Sequence, residues 1–244
     1  MDFYAITDVG NKRMNNEDYY GYLMGKQGNP HYFIVADGMG GHNSGEVASK
    51  LAVEYILKNV KEHNYPFADE YEAKTFIKDM LEQANSLIYR NSVAERVNEG
   101  MGTTAVMAVI NGKKLIVGNV GDSRAYIVRK NGIKQLTNDH SYIEELIRAG
   151  EITREQSENH PDRHIITRAL GGESHIAVDI FSQDMERGDL LILCSDGLSS
   201  VSSVDEIYNT VKVFTSCKDL AFALVEMAKN NGSSDNITIM AVRI

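Results

Sequence analysis

The sequence predicts an α+β protein in which two antiparallel sheets pack face to face, with a pair of helices outside each sheet. Strand-like segments follow one another in hairpins, and helix-like segments come in consecutive pairs, at 44–97 and at 204–229. The regular alternation of strands and helices that is typical of a doubly wound parallel sheet is missing. The 244 residues are 43% hydrophobic, which is enough for one sizeable core. We therefore predict a four-layer α-β-β-α sandwich formed by one domain over residues 1–244.

The first part of the chain supplies strands and the first helix pair. Apolar and polar residues alternate in the first two strands, whereas the third is apolar throughout, which predicts deeper burial. These predicted strands cover 2–8, 19–23 and 31–36. Apolar side chains then recur at helical spacing, and Asn43 or Ser44 would cap the helix that they define. A second amphipathic pattern predicts a long helix over 69–97.

Two Asn-Gly dipeptides predict hairpins in the middle of the chain. Asn111-Gly112 and Asn131-Gly132 accept the positive φ angles of type I′ turns, so each should join the two strands that flank it. Residues 139–170 break the strand pattern with many polar residues, and we expect them to form a flap inserted between strands. Later strands are predicted at 176–181, 190–194 and 236–242, and helices at 204–213 and 218–229.

Composition and charge exclude several classes of function. The net charge of −9, from 34 acidic and 25 basic residues, argues against a nucleic-acid partner, which would require a basic face. No apolar run approaches the ~18 residues of a membrane span, and the N-terminus lacks the pattern of a secretory signal. Cys194 and Cys217 provide no disulfide framework. We therefore expect a cytoplasmic protein without membrane insertion.

Four aspartates lie at the ends of predicted strands and indicate a metal site. Asp37 and Asp196 each follow a hydrophobic run and precede a glycine, whereas Asp18 and Asp235 each precede a strand. Carboxylates that converge at strand ends repel one another unless a cation lies between them. Oxygen ligands suit Mg²⁺ or Mn²⁺ better than zinc, and such ions support hydrolysis of phosphate esters by an activated water. Each Asp-Gly alone is explained equally well as an ordinary turn.

Six short motifs resemble those of the metal-dependent protein phosphatases of the type-2C (PPM) family. They occur in that family's order across residues 13–238, which makes the set far more specific than any one motif. The motifs are Arg13-x-x-Asn16-Glu17-Asp18, Asp37-Gly38-Met39-Gly40-Gly41, Gly102-Thr103-Thr104, Gly121-Asp122-Ser123-Arg124, Ser195-Asp196-Gly197-Leu198 and Asp235-Asn236-Ile237-Thr238. The resemblance implies the same sandwich fold and a monomeric, cytoplasmic, Mn²⁺- or Mg²⁺-dependent Ser/Thr protein phosphatase. It also implies phosphoprotein substrates and a bacterial-type Ser/Thr kinase as partner.

The resemblance assigns roles to the aspartates. Asp37 would bridge two ions, and the carbonyl of Gly38 would be a further ligand. Asp196 and Asp235 match the remaining metal ligands of the family. Asp18 matches the acidic residue that orients the attacking water without binding an ion directly, as an outer-shell group does.

Three other residues each have two explanations. Asp122 matches the position that holds a third, weaker ion in bacterial members, or it caps its own turn. Arg13 would hold the substrate phosphate through its guanidinium fork, or it is an ordinary surface charge. Glu17 would assist Asp18, or it faces the solvent.

Met39 departs from the pattern of many eukaryotic members, in which a histidine at this position is the proposed acid for the leaving group. Methionine cannot transfer a proton, although bacterial members also show it here. His42 would replace that acid or is an ordinary residue at the start of a helix, and a water on the metal is the other candidate acid.

The flap is the predicted contact for the phosphoprotein around its phosphorylated residue. It offers few apolar anchors, so we expect it to be mobile, and loops on a rigid scaffold often select substrates. Asp139, Arg163 and Arg168 are its candidate contact residues. A helical surface excursion with no contact to the substrate is the alternative.

Two other functions remain as alternatives at this point. A catalytically inactive, phosphatase-like binding module would be expected to lack a metal ligand, but Asp37, Asp196 and Asp235 are all present. A two-metal phosphoesterase that acts on nucleotides or other small molecules would share the same ligands. A cysteine phosphatase is excluded, because neither cysteine is followed by an arginine six residues later.

Overall fold

The computed structural model describes residues 1–26, 28–40, 44–63, 65–94, 98, 100–157 and 160–244. The strands are β1 (Asp2–Asp8), β2 (Asp18–Leu23), β3 (His31–Met39), β4 (Gly102–Thr103), β5 (Ala105–Asn111), β6 (Lys114–Val120), β7 (Arg124–Arg129), β8 (Gly132–Gln135), β9 (Asp179–Asp184), β10 (Leu190–Cys194) and β11 (Ile237–Arg243). The helices are α1 (Ser44–Glu62), α2 (Glu70–Ala94), α3 (Tyr142–Ala149), α4 (Arg154–Ser157), α5 (Asp196–Ser199), α6 (Val204–Val213) and α7 (Cys217–Asn230). None of these helices is long and apolar enough to cross a membrane.

The strands form two antiparallel sheets. Sheet I has the order β1-β11-β10-β7-β8, and sheet II has the order β2-β3-β5-β6-β9, with β4 paired to β3. The α1–α2 pair packs on the outer face of sheet II, and α6 and α7 pack on the outer face of sheet I. The predicted four-layer α-β-β-α sandwich is confirmed.

Three apolar layers hold the sandwich together. Alternate residues of β3 show the arrangement: Tyr32 and Ile34 face the α1–α2 pair, while Phe33 and Val35 face sheet I. From sheet I, Leu191 and other β10 and β11 side chains complete the layer between the sheets. A strand that is covered on both faces has no solvent side, so its sequence is apolar throughout. This explains why the segment 31–36 lacks alternation.

Both predicted hairpins form, but their turns lie one residue away from the predicted positions. Asn111 pairs with Lys114, so the first turn consists of Gly112 and Lys113, and Gly112 adopts the positive φ of 61° that favours glycine. In the second hairpin Arg129 pairs with Gly132, which places the turn one residue earlier than predicted. Strand register follows the burial of alternate side chains, and this outweighs the preference of the Asn-Gly dipeptide.

Other element boundaries also differ from prediction. The predicted strand at 176–181 is observed as β9, three residues later, and the single turn of α5 after β10 has no periodic signal in the sequence. The long second helix is observed to Ala94, and the predicted remainder at 95–97 lies outside the described residues, as does the candidate cap Asn43. Within the predicted flap, Ser141 caps α3 and Gly150 ends it with a φ of 75°.

Candidate metal centre

The predicted aspartates come together at one end of the sandwich, where strands of both sheets terminate. Asp18 and Asp37 are direct partners in the antiparallel pair β2–β3 of sheet II. Asp196 follows β10 and Asp235 precedes β11, and these two strands are neighbours in sheet I. Asp122 lies in the turn between β6 of sheet II and β7 of sheet I. We refer to these five residues as the carboxylate cluster.

Mutual repulsion and burial make negative charge unfavourable in the cluster. The pKa of Asp37 is raised well above its usual value, first by burial and then by the other four carboxylates. Burial is also the largest cause that raises the pKa of Asp18 to about 7, of Asp122 to about 8 and of Asp196 to about 6. In each of these three, a neighbouring carboxylate adds to the shift. A bound cation would reverse the electrostatic effect, because its positive charge favours the ionised carboxylates.

Unsatisfied oxygen atoms show what kind of ion the cluster fits. The Oδ1 atoms of Asp18, Asp122 and Asp196 are buried and have no hydrogen-bond partner within the described part of the chain. In that same part, no three Asp, Glu, His or Cys side chains are placed to enclose one ion. Mg²⁺ usually keeps several waters and takes only one or two carboxylates from the protein. The cluster therefore fits open, partly hydrated ions and does not fit a closed structural site.

The Gly102-Thr103-Thr104 motif fixes the backbone of Asp37. The Oγ1 of Thr103 and the backbone N–H of Thr104 both donate to the carbonyl oxygen of Asp37, at 2.9 and 2.8 Å. The backbone N–H of Asp37 donates to the Oγ1 of Thr104 at 3.0 Å. A Cβ at Gly38 would collide with the carbonyl oxygens of Glu17 and Gly45, so only glycine fits there.

Asp18 is held by a hydrogen-bond relay from sheet I. The Oγ of Ser195 donates to the Oδ2 of Asp18 at 2.7 Å and accepts from the backbone N–H of Thr238 at 2.9 Å. Ser195 occupies the N-cap position of α5, yet its hydroxyl makes no capping hydrogen bond. The sequence motif contains Ser195, but nothing in the sequence pattern indicated that its hydroxyl would reach Asp18.

Asn236 forms hydrogen bonds with the backbone of residues 9–17 at the same end of the sandwich. Its Oδ1 accepts from the backbone N–H of Glu17 at 2.8 Å, and its Nδ2 donates to the carbonyl oxygens of Val9 and Asn15, each at 2.9 Å. Sequence reasoning missed this role as well. Glu17 itself is half-buried, and burial is the largest cause that raises its pKa.

Arg13 lies at the rim of the cluster and is bound to one of the predicted ligands. Its Nη2 donates to the Oδ2 of Asp235 at 2.7 Å, while half of the Arg13 side chain remains exposed. The structure thus places Arg13 beside the cluster, where a phosphate could compete with Asp235 for the guanidinium. Met39 lies nearby at the end of β3, and the other candidate acid, His42, is outside the described residues.

A cleft of about 580 Å³ leads to the cluster, and Asp122 and Asp196 are among its lining residues. The flap provides one side of this cleft and residues 199–204 provide the other. Ile143 is the one buried side chain of α3, which agrees with the few apolar anchors expected in the flap. Arg163 and the neighbouring His164 also line the cleft.

Two of the three candidate contacts between flap and substrate are already paired within the protein. Asp139 accepts three hydrogen bonds from the guanidinium of Arg124, at 2.6 to 3.0 Å, and its side chain is only 11% exposed. Arg168 donates to Asp179 at the start of β9, at 3.0 Å. Both side chains are engaged in ion pairs, and of the three candidates Asp139 and Arg163 line the cleft.

Comparison with known proteins agrees with the fold. The protein phosphatase 2C family matches residues 10–236. The serine/threonine phosphatase stp of Listeria welshimeri is 39% identical over 236 residues, which are 97% of this chain and 93% of that protein. The crystal structure of the serine/threonine phosphatase Stp1 from Staphylococcus aureus has a TM-score of 0.93 and 33% identity, and the match covers 100% of this chain and 95% of that one.

A third similar structure contains metal. The catalytic domain of the serine/threonine protein phosphatase PstP, crystallised with two manganese ions, has a TM-score of 0.84 and 31% identity, and the match covers 98% of this chain and 96% of that one. The fold and these similarities define a hydrolase of the phosphatase class. The chain belongs to the protein phosphatase 2C family, and it is a protein phosphatase.

Proposed function

We propose that the protein hydrolyses phosphoserine and phosphothreonine in proteins, with Mn²⁺ or Mg²⁺ held by the carboxylate cluster. The observation that carries this proposal is the set of buried carboxylate oxygens that find no hydrogen-bond partner among the described residues, at the point where both sheets end. Bound there, the ions would supply a water activated for attack on phosphorus and would offset charge on the phosphoryl oxygens. The names of the similar phosphatases support phosphoserine and phosphothreonine as substrates.

The chain's own residues would hold and orient the reactants. Asp37, fixed by two threonines, would be shared between two ions, and Asp196 and Asp235 would complete the set together with the carbonyl of Gly38. Asp122 would hold a third, weaker ion. The buried carboxylate of Asp18, oriented by Ser195, would accept a hydrogen bond from the attacking water and fix its direction.

Arg13 would bind the phosphoryl oxygens through its planar guanidinium, exchanging its contact with Asp235 for one with the substrate. No side chain is placed as a covalent nucleophile in this scheme, so no phosphoenzyme should form. In the same proposal, residues 139–170 act as a mobile flap of a single catalytic domain, with Arg163 facing the phosphoprotein across the cleft. The enzyme would work as a cytoplasmic monomer and reverse a Ser/Thr kinase of the bacterial type.

The test compares wild-type protein with Asp37→Asn on a phosphothreonine peptide, with Mn²⁺ and after chelation. Asp37→Asn should abolish turnover, because it removes the charge that two cations would share. Asp79→Asn, on the exposed face of α2, is the matched control and should keep full activity. If chelated, metal-stripped protein retained its full rate, the metal mechanism would be wrong.

The same assay separates the alternatives. A panel of phosphopeptides, nucleotides and para-nitrophenyl phosphate is offered to the manganese-loaded protein. Preference for nucleotides over phosphopeptides would indicate a phosphoesterase for small molecules. Absence of turnover on every compound with saturating Mn²⁺ would indicate an inactive binding module.

A further inference from the structure

The buried histidine at the base of the flap has no part in the chemistry described above. His140 is 2% exposed and lies two residues before the start of α3. Its Nδ1 accepts from the backbone N–H of Gly121 at 3.1 Å, and its own backbone N–H donates to the carbonyl oxygen of Gly121 at 3.0 Å. His140 therefore forms hydrogen bonds with both the backbone N–H and the backbone carbonyl of Gly121, the residue that precedes Asp122.

The other side of the imidazole ties the two ends of the flap to sheet II. Because Nδ1 is an acceptor, Nε2 carries the proton, and it lies 3.3 Å from the Oδ2 of Asp179. Arg168, near the far end of the flap, donates to the Oδ1 of the same aspartate at 3.0 Å. The backbone N–H of Thr167 donates to the carbonyl oxygen of His140 at 2.8 Å. The start and the end of the flap thus meet at His140.

The turn that carries Asp122 depends on this contact for its conformation. Gly121 has a φ of 102°, and a Cβ there would lie 2.6 Å from the Cβ of Thr104, so the residue must be glycine. Glycine restricts its own backbone least of all residues, and hydrogen bonds from outside must therefore hold the turn. The Nδ2 of Asn119 supplies one further donor to the Gly121 carbonyl, at 3.2 Å, but among the residues that the structure describes only His140 accepts from the Gly121 N–H.

We propose that His140 is a positioning residue for Asp122, and that through Gly121 it couples the base of the flap to the weakest metal site. The proposal rests on the proposed function in one respect, the assignment of an ion to Asp122. Residues that orient a metal ligand from outside commonly change metal affinity ~10–100-fold when they are replaced. A backbone contact one residue away from the ligand should lie at the lower end, about tenfold.

Two variants of similar size separate the two sides of the imidazole. In His140→Asn the amide oxygen can take the place of Nδ1 and accept from Gly121, but the side chain cannot reach Asp179. In His140→Gln the amide takes the place of Nε2, which keeps Asp179 in reach and leaves the Gly121 N–H without an acceptor. The full-length protein, each variant and Asp122→Asn are titrated with Mn²⁺ by calorimetry, and amide hydrogen exchange is followed by NMR.

We expect His140→Gln to weaken the weakest Mn²⁺ site about tenfold and to speed exchange at Gly121, while His140→Asn stays near wild type in both measurements. A purely structural role would lower stability in both variants without this difference. Equal Mn²⁺ affinity in His140→Gln and wild type, or equal weakening in the two variants, would overturn the proposal. Rapid exchange of Gly121 in the wild-type protein would overturn it without any variant.

Reciprocity supplies a second test that needs only wild-type protein, should His140→Gln not fold. If the flap base and the weakest site are coupled, filling that site with Mg²⁺, which unlike Mn²⁺ does not broaden nearby NMR signals, must slow exchange at Gly121 and at Thr167. Unchanged exchange at both amides would refute the coupling. Should Asp122→Asn bind Mn²⁺ like wild type, the third-ion assignment of the proposed function is wrong, whereas the exchange data still decide whether His140 holds the turn.

Discussion

Asp196→Asn should make the metal-free protein more stable, even though it should remove most of the activity. Without a cation, the carboxylate cluster concentrates negative charge in a poorly solvated place, and Asp196 is one of its members. Asparagine has nearly the same shape and carries no charge. Removing the charge should therefore relieve the repulsion while leaving the packing of α5 and β10 unchanged.

The magnitude follows from the pKa of Asp196, which burial and then the repulsion of Asp235 raise from 3.8 to about 6. A shift of roughly two units, at about 1.4 kcal/mol per unit, corresponds to an upper limit of about 3 kcal/mol. In the window between pH ~4 and ~6 the folded protein binds more protons than the unfolded chain, so its stability falls as pH rises. The full cost is present above the folded pKa, at pH 8, and is absent below pH ~4.

The assay is urea unfolding in the presence of a chelator at pH 4 and pH 8, with Asp79→Asn as the control for loss of one negative surface charge. We expect Asp196→Asn to exceed wild type at pH 8 by a few kcal/mol at most and to match it at pH 4. Added Mn²⁺ should stabilise wild type more than the variant. A metal-free Asp196→Asn protein that is less stable than wild type at pH 8 would refute the electrostatic reasoning.

Three further predictions concern substrate binding, the flap and the support of Asp37. Arg13→Ala should raise KM for a phosphopeptide more than it lowers kcat, and Arg13→Lys should have a smaller effect of the same kind. Unchanged steady-state kinetics in both variants would show that Arg13 is an ordinary surface charge. Replacing residues 142–160 by a short Gly/Ser linker should preserve turnover of para-nitrophenyl phosphate but change selectivity among phosphopeptides. Equal changes in rate on all substrates would show that the flap does not select substrates. Thr104→Val should cost ~1–3 kcal/mol in thermal or urea unfolding, because it leaves the backbone N–H of Asp37 without its acceptor.

The parts of the fold that sequence could predict are those in which burial alone decides the structure. The continuous apolar run of β10 and the helical stripe of α2 follow directly from what each element covers. Turn positions were predicted one residue away, since register depends on cross-strand burial that a dipeptide does not encode. The sequence also did not show that Asp139, a candidate contact for the substrate, pairs with Arg124, because Arg124 lies in a different motif.

In the candidate site, too, some residues could be predicted from the sequence and others could not. Each aspartate could be located from its position at a strand end, but the groups that support it come from distant parts of the chain. Ser195 reaches Asp18 across 177 positions, and Asn236 reaches Glu17 across 219. Such contacts exist only after sheets I and II have packed together.

This arrangement links metal binding to the packing of the two sheets. Sheet II contributes Asp18 and Asp37, and sheet I contributes Asp196 and Asp235, so charge repulsion in the metal-free cluster acts across the interface between the sheets. The hydrogen bonds of Ser195 and Asn236 cross the same interface and oppose that repulsion. An ion shared by carboxylates from both sheets would act in the same direction as these hydrogen bonds. The motifs that hold the proposed ligands therefore also contain the residues that make the cross-sheet contacts. Ligands divided between two sheets would be only as well ordered as the packing of those sheets against each other.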